Sequence, residues 1–297
     1  MSAFTWSYPA ARAFEVCRRK RYWRYYADSP ERERAHVLGR LMNREQLAER
    51  AVVAAGLWLR AQNASSAAPT SQEAYEQAAR PLLNDVWKSV RSAQWKQPDA
   101  KAARGLLEEA YPKLHPDVDA DWPKALKTEI LNRIEQLHTQ LQPLFARIPR
   151  EADIALGETQ RFEIDQVAIR IDPHWAYRED DGVRIHRWEC GMPDPMDQYH
   201  MGLLVKWATV ALDVAPEQVR VIFDYVALGQ SATEEDSVAL LEAAEGWMQE
   251  SWMDMSDYLE NADRHENQPR PKLEWDMTPD RDVCRDCCYY ALCKPEF

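Results

Sequence analysis

The chain has 297 residues, 45% hydrophobic and 29% charged, with a formal net charge of -12 at pH 7. That apolar content supports a sizeable core in one large domain or two small ones, and no apolar run approaches the roughly 18 residues of a membrane span. The acidic balance excludes a surface that attracts nucleic acid everywhere, and the lack of an apolar, positively flanked opening segment points to a reducing, cytoplasmic setting.

In chain order, Cys17 comes first, followed by a segment in which five of the seven residues from Arg18 to Arg24 are basic: Arg18, Arg19, Lys20, Arg21 and Arg24. Tyr22, Trp23, Tyr25 and Tyr26 interleave with them, a mixture suited to phosphate contact and base stacking, so Arg18, Arg19, Lys20, Arg21, Tyr22 and Arg24 are candidate nucleic-acid contacts. Arg34 to Leu59 reads as helix, and Gln62 to Gln72 as a small, polar linker. A clear helix begins after Asp121, with Pro123 in its first turn, and runs through Leu126, Ile130, Ile134, Leu137 and Leu141. Residues 60–148 are expected to form a helical layer or insertion, a candidate lid over a groove.

Strands follow, in a sheet core expected over residues 150–230. Apolar residues alternate from Arg161 to Ile171, with Phe162 and Ile164 on one face and Val167, Ile169 and Ile171 on the other, which predicts one central strand. Asp180 to Gly182 signals a turn, and Val183 to Glu189 a second strand that projects Val183, Ile185, Arg187 and Glu189 to one side. A helix from Asp197 to Leu212 and a strand from Val219 to Leu228 complete an α/β core with a central mixed sheet flanked by helices.

From Glu234 to Asp263 there are ten acidic residues and no basic one. Val238, Leu241, Met248, Trp252, Met255 and Leu259 suggest one buried helical stripe with an acidic back, either merely solvated or facing a basic partner. The tail, residues 280–297, carries Cys284, Cys287 and Cys293 as C-x2-C-x5-C.

Together with Cys17, these three thiols are enough for one metal centre. Disulfides are disfavoured by the expected compartment, and zinc sites usually draw on paired C-x2-C knuckles, of which there is one here. A 4Fe-4S cluster tolerates one remote ligand plus a compact trio and is preferred over zinc. Such a clasp, tying the first helix to the tail, closes a loop of about 267 residues and stabilises the fold by roughly 5 kcal/mol on the loop-entropy model. Cys288 and Cys190 read as packing or spare thiols.

The order of parts, namely FEVCRRKRYWRYY, a helical stretch, an I-D strand, a strand ending W-x-x-G, a helix opening with Gln198, a further strand ending near Gly229, and the cysteine trio, resembles the RecB-type branch of the PD-(D/E)xK nuclease superfamily. More specifically it is similar to the iron-sulfur members, which include CRISPR-associated exonucleases and AddB-type helicase-nuclease subunits. The resemblance implies a metal held by carboxylates, usually with a helix histidine, and a lysine that steadies the attacking water or the developing charge.

Carried over residue by residue, Asp165 matches the first strand carboxylate. The D-W-K-T-G-like run becomes Arg187, Trp188, Glu189, Cys190, Gly191, so that aspartate is replaced by arginine and lysine by glutamate. The helix histidine falls at Val53. Arginine donates rather than accepts hydrogen bonds, so the metal site should not fill.

The expectation is a catalytically inert, iron-sulfur-stapled DNA-binding subunit beside an active nuclease or helicase, in DNA repair or defence against foreign DNA, with Arg187 paired to Asp165 in the metal's place. An active Mg- or Mn-dependent nuclease, with Glu189 as a shifted ligand near Glu158 or Glu163, is the alternative. A scaffold docking a basic partner through the acidic helix is a third reading. The plain reading of Arg187 and Glu189 is a solvated strand end.

Overall fold

The computed structural model describes residues 5–28, 31–63, 68–96, 105–116, 118, 121–156, 160–164, 167–179, 181–262 and 267–294. Strand β1 (Thr5–Ser7) leads into α1 (Tyr8–Val16), capped by the Ser7 side chain and opened by Pro9. Cys17 is extended (φ -161°), which breaks the helix before α2 (Arg18–Tyr25) begins. The predicted helix from Arg34 to Leu59 is in fact divided into α3 (Glu31–Leu38), β2 (Leu41–Met42) and α4 (Arg44–Gln62). An Asn43–Gln46 capping box starts α4.

A further helix runs as α5 (Ser71–Ala74), a π turn (Tyr75–Ala79) and α6 (Arg80–Arg91). The π turn lies just ahead of Pro81, whose missing N–H interrupts the four-residue ladder. After β3 (Gly105–Leu106) and α7 (Leu107–Ala110) comes α8 (Trp122–Arg147), which buries Leu126, Ile130, Ile134, Leu137 and Leu141 as its spacing predicts.

The span from Arg161 to Ile171 is not one strand. It is β4 (Gln160–Ile164) and β5 (Val167–Ile171), paired antiparallel with Ile164 opposite Val167, and β5 lies between β4 and a parallel β1. A second sheet has the order β6 (Trp175–Glu179), β7 (Gly182–Glu189), β8 (Val219–Tyr225), β9 (Gln230–Thr233), with β7 and β8 parallel and the outer pairs antiparallel. The β6–β7 hairpin fits the predicted turn. At Gly182 φ is +149° and an added Cβ would meet the Gln218 carbonyl oxygen at 1.9 Å, so only glycine fits there.

Helix α9 (Asp197–Leu212) covers one face of this sheet together with α10 (Ser237–Ser256). The two cross closely at Gly202, where a Cβ would lie 2.1 Å from the Leu240 carbonyl oxygen. The buried stripe of α10 is Leu240, Ala244, Met248, Ser251 and Met255. Val238, Leu241 and Trp252 are only half-buried, which corrects part of the predicted stripe.

Helices α4 and α8 cover the other face, burying Trp188, Trp175 and Tyr177 in a second core cluster. Of the expected helical layer over residues 60–148, α8 forms this wall together with α4, in which Gly56 lets the Trp188 ring approach. The chain continues through β10 (Leu259–Ala262), β11 (Asn267–Pro269), α11 (Arg281–Arg285) and α12 (Tyr290–Cys293).

Candidate functional site

The two faces of β7 carry different chemistry, because successive side chains alternate. His186 and Trp188 point to the α4–α8 wall, whereas Arg187 and Glu189 point to the α9 side. Arg187 is 7% exposed. Its Nε donates to Glu189 Oε1 at 2.5 Å, and its Nη1 donates to the Asp172 carbonyl oxygen at 2.8 Å and to the Asp172 carboxylate at 3.1 Å. Glu49, on the second turn of α4, brings a third carboxylate to 3.9 Å from Nη2.

Burial disfavours the charge on Arg187, but Glu189, Asp172 and Glu49 outweigh it and hold its pKa above the ordinary value. Burial pushes the carboxyls of Glu49 and Glu189 up, against the pull of Arg187. His174 and His200 flank the cluster and are both neutral: burial first, and then Arg187, drive their pKa values well down. The backbone N–H of Trp188 donates to His174 Nδ1 at 2.9 Å, which places that ring's proton on Nε2. His200 Nε2 lies 3.9 Å from Asp172 Oδ1, with the Tyr8 ring stacked on its imidazole at 4.3 Å.

The predicted site is met only in part by the described residues. Asp165 and Glu158 lie outside the described residues, so the expected Asp165–Arg187 pair does too. Among the described residues, the carboxylate partners of Arg187 are Asp172, Glu189 and Glu49. Glu163 is exposed on the edge strand β4. Val53 packs half-buried on the second core cluster, and the α4 residue that reaches the site is Glu49, one turn earlier. Gln198 is exposed, and the residue of α9 that faces the cluster is His200. Arg187 and Glu189 are a buried ion pair rather than a solvated strand end.

On the far side of β7, His186 Nδ1 is 2.8 Å from Asp224 Oδ2, both groups buried. Asp224 Oδ1 also accepts from the Ser231 hydroxyl at 2.6 Å, and the Gln140 amide donates to both Ser231 and Asp224. This network pins α8 to the sheet.

Cys17, Cys284, Cys287 and Cys293 line one pocket with Lys20 and Trp23. None is in a disulfide. The indole Nε1–H of Trp23 donates to Cys293 Sγ at 3.1 Å. Burial, then the neighbouring thiols of Cys17 and Cys287, push the Cys284 thiol up, and burial does the same to Cys293, to about 11. Among the described residues no group of three or more His, Cys, Asp or Glu stands close enough to hold a metal ion, so the expected clasp is not shown as a formed centre. Four thiols around one pocket fit a thiolate-bound cluster in donor type and number. Cys190 is buried in the second core cluster, as a packing residue.

The predicted nucleic-acid segment is only partly on the surface. Arg19, Arg21 and Tyr22 are buried at 3%, 2% and 3% exposure, because an eight-residue helix docked along one side turns those positions inward. Arg19 Nε donates to the Trp275 carbonyl oxygen at 2.8 Å, and the Arg21 guanidinium lies 4.9 Å from the centroid of the Tyr25 ring. These three cannot reach a phosphate without unfolding. Arg24 and Tyr25 are exposed, Lys20 is half-buried, and Arg18 is exposed on Asp276 at 3.2 Å.

No helix among the described residues is long and apolar enough to cross a membrane. No protein-family model matches the chain, and no curated protein matches it.

Proposed function

We propose that this chain is a catalytically inert, nuclease-like DNA-binding protein of the RecB-type PD-(D/E)xK kind, its early helices joined to its tail through a 4Fe-4S cluster, working beside an active nuclease or helicase in DNA repair or defence. The observation that carries the reading is the guanidinium of Arg187 among the carboxylates of Asp172, Glu189 and Glu49. A divalent ion bound by those oxygens would polarise a phosphate and generate hydroxide. Arg187 instead supplies the counter-charge while offering neither a Lewis-acid centre nor an open coordination position.

Cys17, Cys284, Cys287 and Cys293 would hold the cluster, which supplies a covalent cross-link between distant segments when bound. Arg18, Lys20, Arg24 and Tyr25 are the part of α2 that remains available for phosphate and base contact. The α10 back, with Glu242, Glu250 and Asp254 exposed, repels DNA and so confines binding to the α2 side.

The test is incubation of purified protein with single- and double-stranded DNA in Mg or Mn, alongside equilibrium binding at several salt concentrations. The expected result is retention without cleavage, with affinity falling steeply as salt rises. Cleavage abolished by Asp172→Ala would establish an active metal site and overturn the inert reading.

A further inference from the structure

Trp23 is a buried residue of α2, 2% exposed, yet its indole N–H does not reach a backbone carbonyl or a water-facing group. It donates to Cys293 Sγ across 270 residues of sequence, at 3.1 Å. The Lys272 ammonium stands 5.1 Å from the Trp23 ring centroid, which draws electron density from the indole and strengthens its N–H as a donor. Lys20, one turn before Arg24, lines the same pocket and brings a positive charge to its wall.

We propose that Trp23 and Lys20 set the electron affinity of the thiolate-bound iron-sulfur cluster, Trp23 through its N–H···S bond and Lys20 through its charge, so that the centre accepts an electron rather than serving as an inert staple. The inference rests on the cluster reading of the four cysteines. Its physical basis is general. A hydrogen bond to a ligand sulfur withdraws charge from the thiolate, and a nearby ammonium favours the state that carries one more negative charge. Both raise the reduction potential. One electron from an external one-electron donor is taken up, no bond is broken, and no proton is required.

The test is an EPR-monitored titration with dithionite and mediators on anaerobically purified protein, comparing the parent with Trp23→Phe and Lys20→Met. Each variant is expected to retain its iron and sulfide and to shift the oxidised-to-reduced ratio at a fixed potential by on the order of tenfold towards oxidised, about 59 mV for one electron. Because Trp23→Phe alters a buried position, the parent labelled with 15N-indole tryptophan gives a second readout: pulsed EPR of the reduced protein should show coupling to one indole nitrogen. Unchanged midpoints in both variants, absence of that coupling, or a parent cluster that dithionite does not reduce would each overturn the proposal while leaving the cluster in place. A parent protein that carries zinc or no iron would overturn the cluster reading itself, and this inference with it.

Discussion

Replacing Arg187 with methionine keeps an unbranched apolar stem and removes the charge, leaving Asp172, Glu189 and Glu49 facing one another around an apolar tip. Removing one partner of a buried ion pair costs about 3–5 kcal/mol, because the remaining charges lose their compensation rather than merely a contact. For a domain of this size each kcal/mol corresponds to a few degrees, so the midpoint of thermal unfolding should fall by roughly 6–20 °C.

The deficit should also depend on pH. Glu49 and Glu189 already have raised carboxyl pKa values in the folded parent, chiefly through burial. A carboxyl raised on folding gives stability that is whole below its ordinary value and is lost as pH rises through the folded value. Without Arg187 the rise grows, so Arg187→Met should be worst near pH 8 and approach the parent as pH is lowered towards 5. Urea unfolding at three pH values, followed by circular dichroism, measures this. A deficit under 1 kcal/mol that does not change with pH would refute the claim that Arg187 is the counter-charge of the cluster.

Three further outcomes are expected. Protein purified without oxygen should be brown with broad absorption near 400 nm, and Cys17→Ser should bleach it and lower stability by an amount up to the roughly 5 kcal/mol of the closed loop; colourless protein with stoichiometric zinc would contradict this. Reversing Arg18, Lys20 and Arg24 to glutamate should weaken DNA binding and flatten its salt dependence by up to about three phosphate contacts, whereas Arg19→Glu should unfold the protein, as circular dichroism would report. Gly202→Ala should cost about 1–3 kcal/mol in chemical denaturation, since its methyl would meet the Leu240 carbonyl and Ala244 Cβ at 2.1 and 2.5 Å.

Much of the scaffold is legible in the residues themselves. Helix α9 and the buried side of α8 follow from spacing, and β7 places Arg187 and Glu189 on one side as its period of two requires. The break between β4 and β5 leaves a trace as well. Apolar residues occupy even positions at Phe162 and Ile164 and odd positions from Val167 onward, a change of phase that one continuous strand does not make.

Read as one strand, that span directs attention to its middle and away from Asp172 just past its end. Glu49 and His200 are set into the site by how α4 and α9 pack, which no local pattern encodes. The burial of Arg19 and Arg21 is hidden for a related reason: composition marks α2 as basic, but the partners that cover it, such as Trp275, come more than 250 residues later. The four cysteines were legible because thiols are few and their spacing is chemical rather than geometric.

The separations that join the first elements to the last ones matter for how the chain is made. Trp6 meets Ser251, Arg19 meets Trp275, and Trp23 meets Cys293 across 245, 256 and 270 residues. At a synthesis rate of about 5–20 residues per second, α2 waits roughly 13–54 seconds after its own emergence for the residues that cover it. During that interval Tyr22 and Trp23, buried in the finished protein, have no cover from the tail, beside a run of cations on a tethered nascent chain. The segment is then open to holdase chaperones, and the proposed cluster cannot be inserted before release of the last thiol. Slowing translation anywhere between α2 and α11 lengthens that interval and should therefore lower soluble yield, whereas an equal slowing ahead of α2 should not.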